Sequence, residues 1–243
     1  MKKTIFTAIT ISALGLGMTG CSFSFGTGSN TSNAAKPTNT ATNAPVNTAA
    51  NKPANSNSGS NAPKAALKDE KKPTDGNSKK AAKNNPVPDS WIDVYDEQKG
   101  YSFSVPEGTT GGSDTSDGVD VFVAQTPAPS EIGVFVLAFK DKSLSKEDLI
   151  ETAQKFMVEM SEGKGTATMG APRAESEDYS IVDAAIKNDG KSNKARVLVG
   201  TDVSDNYIMI LVCENEEKFA ANEKVIDEIW GSFEIWSGGA SNN

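Results

Sequence analysis

Few residues in this 243-residue chain have the types and spacing to do chemistry. It contains no histidine, which removes Ser-His-Asp and Cys-His triads and every zinc site that needs an imidazole. Asp114, Asp117 and Asp120 surround Gly118 in the stretch SDTSDGVD. Hard carboxylate oxygens on a glycine-kinked loop suit calcium. The spacing Asp-x-x-Asp-Gly-x-Asp lacks the bidentate Glu that closes an EF-hand loop, so the stretch reads first as a polar turn before a strand. Gly108-Thr-Thr-Gly-Gly112 has neither the Lys nor the following helix of a phosphate loop. Carboxylate pairs of the glycosidase kind are formally available. With 29 acidic residues after position 88, however, close pairs arise by chance and belong to a solvated surface. The expectation is a chain that is not an enzyme and holds no cofactor or metal, with a calcium- or small-ligand-binding domain as the alternative.

Two cysteines remain. Cys213 ends the apolar run YIMILVC, where a small core hydrophobe is expected. Cys21 follows a leader with Lys2 and Lys3, an apolar run from Ile5 to about Met18, and small residues at its end. That run is too short and too interrupted by Thr, Ser and Gly to span a bilayer, and has the layout of a removable export signal. Met18-Thr19-Gly20-Cys21 resembles the bacterial lipobox, with Met where Leu is usual. The resemblance implies that residues 1–20 are a signal peptide and that Cys21 carries a thioether-linked diacylglycerol and an N-acyl chain. At about 0.8 kcal/mol per buried CH₂, that anchor far exceeds a single myristoyl chain. The implied location is the extracytoplasmic side of a bacterial envelope, with the outer membrane favoured in a diderm host because Ser22, not Asp, follows the Cys. An acylated Cys21 leaves Cys213 without a disulfide partner.

Residues 22–88 are rich in Asn, Ala, Thr, Ser, Pro and Lys, with almost no large apolar side chain after Phe25. Such a tract cannot bury enough surface to offset its ordering entropy, so residues 21–88 read as a lipidated Cys and a disordered linker. As a flexible coil it would span roughly 45 Å root-mean-square. Nine Lys against two Asp and one Glu give it a net +6, whereas 13 Lys and Arg against 29 acids give residues 89–243 a net −16. A block this acidic repels nucleic acid and anionic headgroups.

The elements that must position anything functional begin near Pro86 and Pro88. WIDVY (91–95) and YSFSV (101–105) alternate around a turn closed by Gly100 and predict a hairpin. VDVFVAQ (119–125) alternates again, and GVFVLAF (133–139) is continuously apolar, as a strand covered on both faces should be. Leu149, Ile150, Ala153, Phe156, Met157 and Met160 recur with helical period, opened by a Ser145/Asp148 capping box and stopped at Gly163. YSIVDAAIK and KARVLVGTD flank Asn188-Asp-Gly190, a strong hairpin signal, and YIMILVC follows. A second helix starts after Asn215, with Phe219, Val225, Ile226, Ile229 and Trp230 on one face and Gly231 at its end. The predicted fold is α+β: a mostly antiparallel sheet flanked by helices over residues 89–237, with a disordered tail at 238–243. Trp91, Trp230 and Trp236 are expected in core packing, Trp236 being the most exposed.

YSFSVP (101–106), one inserted amphipathic helix, consecutive hairpins, and a closing helix that runs into IWGSFEI (229–235) together resemble the PsbP/Mog1/DcrB-like fold. The resemblance covers roughly Trp91 to Trp236. It implies an α/β/α sandwich and an interaction module without shared catalytic residues. The functional expectation is therefore a membrane-anchored envelope lipoprotein whose acidic domain is a protein-interaction or accessory module. Its partners would be the membrane, through Cys21, and an unidentified envelope protein, but not nucleic acid.

Overall fold

The alternating run 119–125 and the continuous apolar run 133–139 lie side by side as antiparallel strands in the computed structural model, which describes residues 65–70, 78–82, 86–116, 119–139, 144–161, 163–202 and 205–236. Cys21, the leader, most of the low-complexity tract and the tail at 238–243 lie outside the described residues. The strands are β1 (Ala65–Ala66), β2 (Ser78–Lys80), β3 (Trp91–Asp96), β4 (Tyr101–Pro106), β5 (Thr110–Ser116), β6 (Val119–Gln125) and β7 (Gly133–Phe139). Helix α1 (Lys146–Met160) follows, then β8 (Thr166–Met169), β9 (Arg173–Ala174), β10 (Tyr179–Asn188), β11 (Lys191–Thr201) and β12 (Asn206–Cys213). Helices α2 (Glu216–Ala221) and α3 (Glu223–Gly231) and strand β13 (Glu234–Trp236) close the chain.

Strand order is β1-β5-β6-β7-β12-β11-β10-β8 in the larger sheet, with β9 also on β10, and β2-β13-β4-β3 in a second, four-stranded sheet. Every pairing is antiparallel. In place of the expected single sheet between helices, two sheets and the helices form the layers. On one side of the large sheet lies α1, over Leu149, Ala153, Phe156, Met157 and Met160. On the other side lie the small sheet and α2–α3, meeting in a core with an aromatic centre. There Phe233 stacks with Tyr101 at 5.9 Å and Phe103 at 6.3 Å, and meets Tyr179 and Tyr207 edge-on. Gly200 lies opposite Tyr179 in the ladder, and a Cβ there would sit 2.7 Å from Tyr179 Cε1. Glycine thus lets the Tyr179 ring lie down across β11.

Local signals were realised directly. The Ser145 hydroxyl accepts from Asp148 N–H at 3.1 Å, and the Asp148 carboxylate accepts from Ser145 N–H at 3.0 Å. Gly163 is left-handed at φ +69° and donates to Val158 O. Asp189 (φ +48°) and Gly190 (φ +79°) make the β10–β11 turn, where two positive φ values match the twist of the strands. Two expectations changed. Thr110–Ser116 is a strand paired along β6, not the loop and polar turn that its Gly, Ser and Asp content suggests. The second helix is broken at Asn222, whose side-chain amide donates to Ser130 O at 3.1 Å and Lys218 O at 2.9 Å.

A further difference concerns the tract read as linker. Within residues 65–82 the described parts are docked on the domain. Ala65 and Ala66 pair with Gly111 and Thr110, and Leu67 N–H donates to Thr109 O. Glu70 N–H donates to Asp93 O, while the Asp69 and Glu70 carboxylates accept from Asp93 N–H (3.0 Å) and Tyr95 N–H (3.3 Å) along the outer edge of β3. Strand β2 pairs with β13, with Lys79 opposite Ile235. Ala81 N–H then donates to Phe233 O at 2.8 Å, with Ala81 only 3% exposed. Unpaired strand edges invite pairing with other chains. This strap closes three of them, and the composition hid it because its strands are dictated by the edges that receive them.

Candidate interaction surface

Helix α1 packs over β8, β10, β11 and β12. Its apolar face is satisfied there, and each fully buried Leu, Phe or Met contributes about 1.5–3 kcal/mol by leaving water. Beyond β7 the same side of the sheet continues without it. Val119, Val121 and Val123 of β6 point to this side, because Phe122 and Ala124 point to the opposite core. The three valines are half-buried against the core on the α1 side. Across the ladder from Val123 stands Gly112, which is exposed, and a Cβ there would meet no atom within 4 Å. The result is an apolar row at the margin of an acidic domain.

The acidic stretch lies at the same hairpin. Asp114 is paired with Val121 and Thr115 with Asp120, so the two aspartate positions are not partners in the ladder. Asp117 and Gly118 lie outside the described residues, and the side chains of 114–116 are not described. Asp120 faces a cation that the fold supplies: Lys99 Nζ lies 3.5 Å from Asp120 and 3.5 Å from Asp96. Among the described residues no group of three or more His, Cys, Asp or Glu side chains is placed to hold a metal ion.

The remaining candidate residues are dispersed. Cys213 is buried in the aromatic-centred core, as its apolar run suggested, and Cys21 is outside the described residues. Trp230 is buried and donates from Nε1 to Asp227 at 2.7 Å. Trp91 packs partly buried at the edge of the small sheet. Trp236, half-buried, meets Tyr95 edge-on at 6.1 Å and donates to Ser102 Oγ at 2.9 Å. The three do not form one stacking patch.

Two polar clusters went unnoticed in the sequence because their members are far apart in it. Arg196, its side chain 7% exposed, donates to both Asp183 oxygens at 2.8 and 3.2 Å and to Asp227, and its guanidinium lies 5.3 Å over the Phe219 ring. Burial pulls its pKa down, but Asp183 and Asp227 outweigh this and leave it raised. The cluster ties α2 and α3 to β10 and β11. The second cluster holds the strap: Lys79 Nζ is 3.1 Å from Asp178 and 3.2 Å from Asp202, and Lys80 Nζ is 2.9 Å from Glu234. The hydrogen bonds of Asp178 and then Asp202 hold the Lys79 ammonium above its ordinary range. Tyr179 Oη donates to Lys79 O at 2.7 Å, so the ring that Gly200 admits also grips the strap.

No helix among the described residues is long and apolar enough to cross a membrane. No known family profile matches the chain, and no curated protein matches it. Among solved structures, the chain is similar to a crystal structure from Bacteroides thetaiotaomicron VPI-5482, at 11% identity over 62% of this chain and a TM-score of 0.39, and spans 50% of that structure. It is also similar to the solution structure of cyanobacterial PsbP (CyanoP) from Synechocystis sp. PCC 6803, at 20% identity over 63% of this chain and 96% of that one, with a TM-score of 0.49.

Proposed function

We propose that this chain is a bacterial envelope lipoprotein, anchored through acylated Cys21, whose acidic α+β domain of the PsbP/Mog1-like kind is a protein-interaction or accessory module. The observation that carries the interaction role is the half-buried row Val119, Val121, Val123, open beside Gly112 and not covered by α1. Apolar surface left at the margin of an otherwise finished core is the usual basis of a contact site. The net −16 of residues 89–243 disfavours nucleic acid and anionic lipid as the thing contacted and favours a protein. The lipobox-like Met18-Thr19-Gly20-Cys21 supports the anchor. The run of hairpins around one inserted helix supports the family reading.

A photo-crosslinking residue at position 121, in cells, tests the interaction role. The expected result is one dominant adduct that is missing when the crosslinker sits at exposed Glu217 on α2. Equal labelling of bulk neighbours from both positions refutes it. The anchor is tested separately by labelling with a fatty-acid analogue. Cys21→Ser should abolish incorporation, and equal labelling of both forms rules the anchor out.

A further inference from the structure

On the far side of the large sheet from the valine row, the small sheet ends at β13, and what completes that edge is a short strand from a basic tract. Three features define the seat. The backbone of β13 pairs with Ser78, Lys79 and Lys80 across Trp236, Ile235 and Glu234, a ladder that any extended chain could make. Two lysine seats flank it. One lies between Asp178 and Asp202, and the other lies on Glu234; the Asp202 and Glu234 side chains are only 5% and 7% exposed. The third seat takes Ala81 into the core next to Phe233, where it is 3% exposed. Carboxylates this enclosed draw part of their compensation from the ammonium groups of the occupant, so an occupant without cations there is penalised.

The occupant contributes little of its own. Its three strand residues belong to residues 22–88, a tract almost without large apolar side chains after Phe25, with a net charge of +6 against −16 for residues 89–243. It is held by edge pairing, two lysines and one alanine, which is how strand-addition sites hold peptides: the main chain gives affinity and alternate side chains give specificity.

We propose that the β13 edge is a recognition groove for an extended basic polypeptide segment of the pattern Lys-Lys-small, filled in this chain by its own Ser78–Ala81 and open to a partner strand of the same pattern that displaces it. The groove lies on the opposite side of the large sheet from Val121 and does not depend on the role assigned to the valine row.

The test uses the full chain and a fluorescent peptide with the sequence of residues 76–83, GNSKKAAK, read by anisotropy. In the wild type the strap competes and binding is weak. In K79E/K80E the strap is repelled by Asp178, Asp202 and Glu234, and the peptide should bind at least tenfold more tightly. Adding D178N/D202N should reverse the gain at least tenfold, and a peptide with Trp in place of its first Ala should not bind. No gain in a K79E/K80E chain that keeps native amide dispersion, or a gain indifferent to D178N/D202N, overturns the proposal. Should K79E/K80E not fold, the wild type decides by NMR. Excess peptide is expected to move the Ala81 amide signal to its free position, and a signal unmoved at hundredfold excess is the overturning result.

Discussion

Raising the pH should unfold this protein through its tyrosines, and the structure sets the scale. Tyr101, Tyr179 and Tyr207 are each at most 1% exposed, and burial, the largest influence on each, lifts their phenols well above the usual tyrosine range. Neutral Tyr207 also donates to Lys99 O at 2.6 Å, a bond the phenolate loses. In the unfolded chain all three ionise near pH 10. A group with a raised folded pKa gives stability that is complete below the unfolded value and lost as pH rises beyond it. Each buried tyrosine therefore removes about 1.4 kcal/mol per pH unit above 10, so the three together remove roughly 4 kcal/mol at pH 11 and 8 at pH 12. Lys79, also raised, adds to the loss in the same direction. A domain stability of about 5–8 kcal/mol, the lower part of the usual range, is exhausted between about pH 11 and 12, and a larger stability moves the transition higher. Tyrosinate absorbance and far-UV circular dichroism should be followed together. Of the four tyrosines, the three buried ones should ionise with the transition, while half-buried Tyr95 is raised by burial and then by Glu97 and Asp96. Smooth ionisation of all four near pH 10 with the dichroism intact would refute the reasoning.

Arg196→Met should destabilise the chain by about 1–3 kcal/mol in urea titration, because it removes the charge-assisted bonds to Asp183 and Asp227 and the guanidinium over Phe219 while keeping an apolar side chain of similar length. In the R196M background, D183N should then cost almost nothing further, and full additivity would contradict the coupling. Gly200→Ala should cost about 1–3 kcal/mol by overpacking against Tyr179 and Ile235, and should speed amide exchange at Ala81 by loosening Tyr179 from the strap. Unchanged exchange would separate the two effects. Gly190→Val places a β-branched side chain at φ +79°, and a chain that melts at the wild-type temperature would show that the turn is unstrained. Phe233→Ala removes the centre of the aromatic cluster and should cost about 3–5 kcal/mol, and a loss under 1 kcal/mol would show that the core refills.

Helix α1, the β10–β11 hairpin and the alternation of β6 were legible because their signals are local: a capping box, an Asp-Gly turn and period-two valines. Strand β5 was not, since TGGSDTS carries no β-branched apolar residue and is a strand only because β6 offers it an edge. The same holds for β2, whose Ser-Lys-Lys is shaped by β13, Asp178 and Asp202, partners about a hundred residues or more away in sequence. The valine row was visible as alternation, but the sequence does not say where α1 stops covering the sheet. The division into two sheets was hidden because β13 joins β4 across more than a hundred residues.

In the proposed form, anchored through Cys21, the strap would give the domain a mechanical property. Tension arriving along the chain meets β1 first, then the capped edge of β3, then β2, before any strand of the core is loaded. Peeling residues 65–82 lengthens the connection by up to about 60 Å of contour at roughly 3.4 Å per residue. Only the last step, removal of Ala81 from beside Phe233, touches the aromatic centre, so in the anchored form the strap would act as slack in series with the anchor before the core is opened.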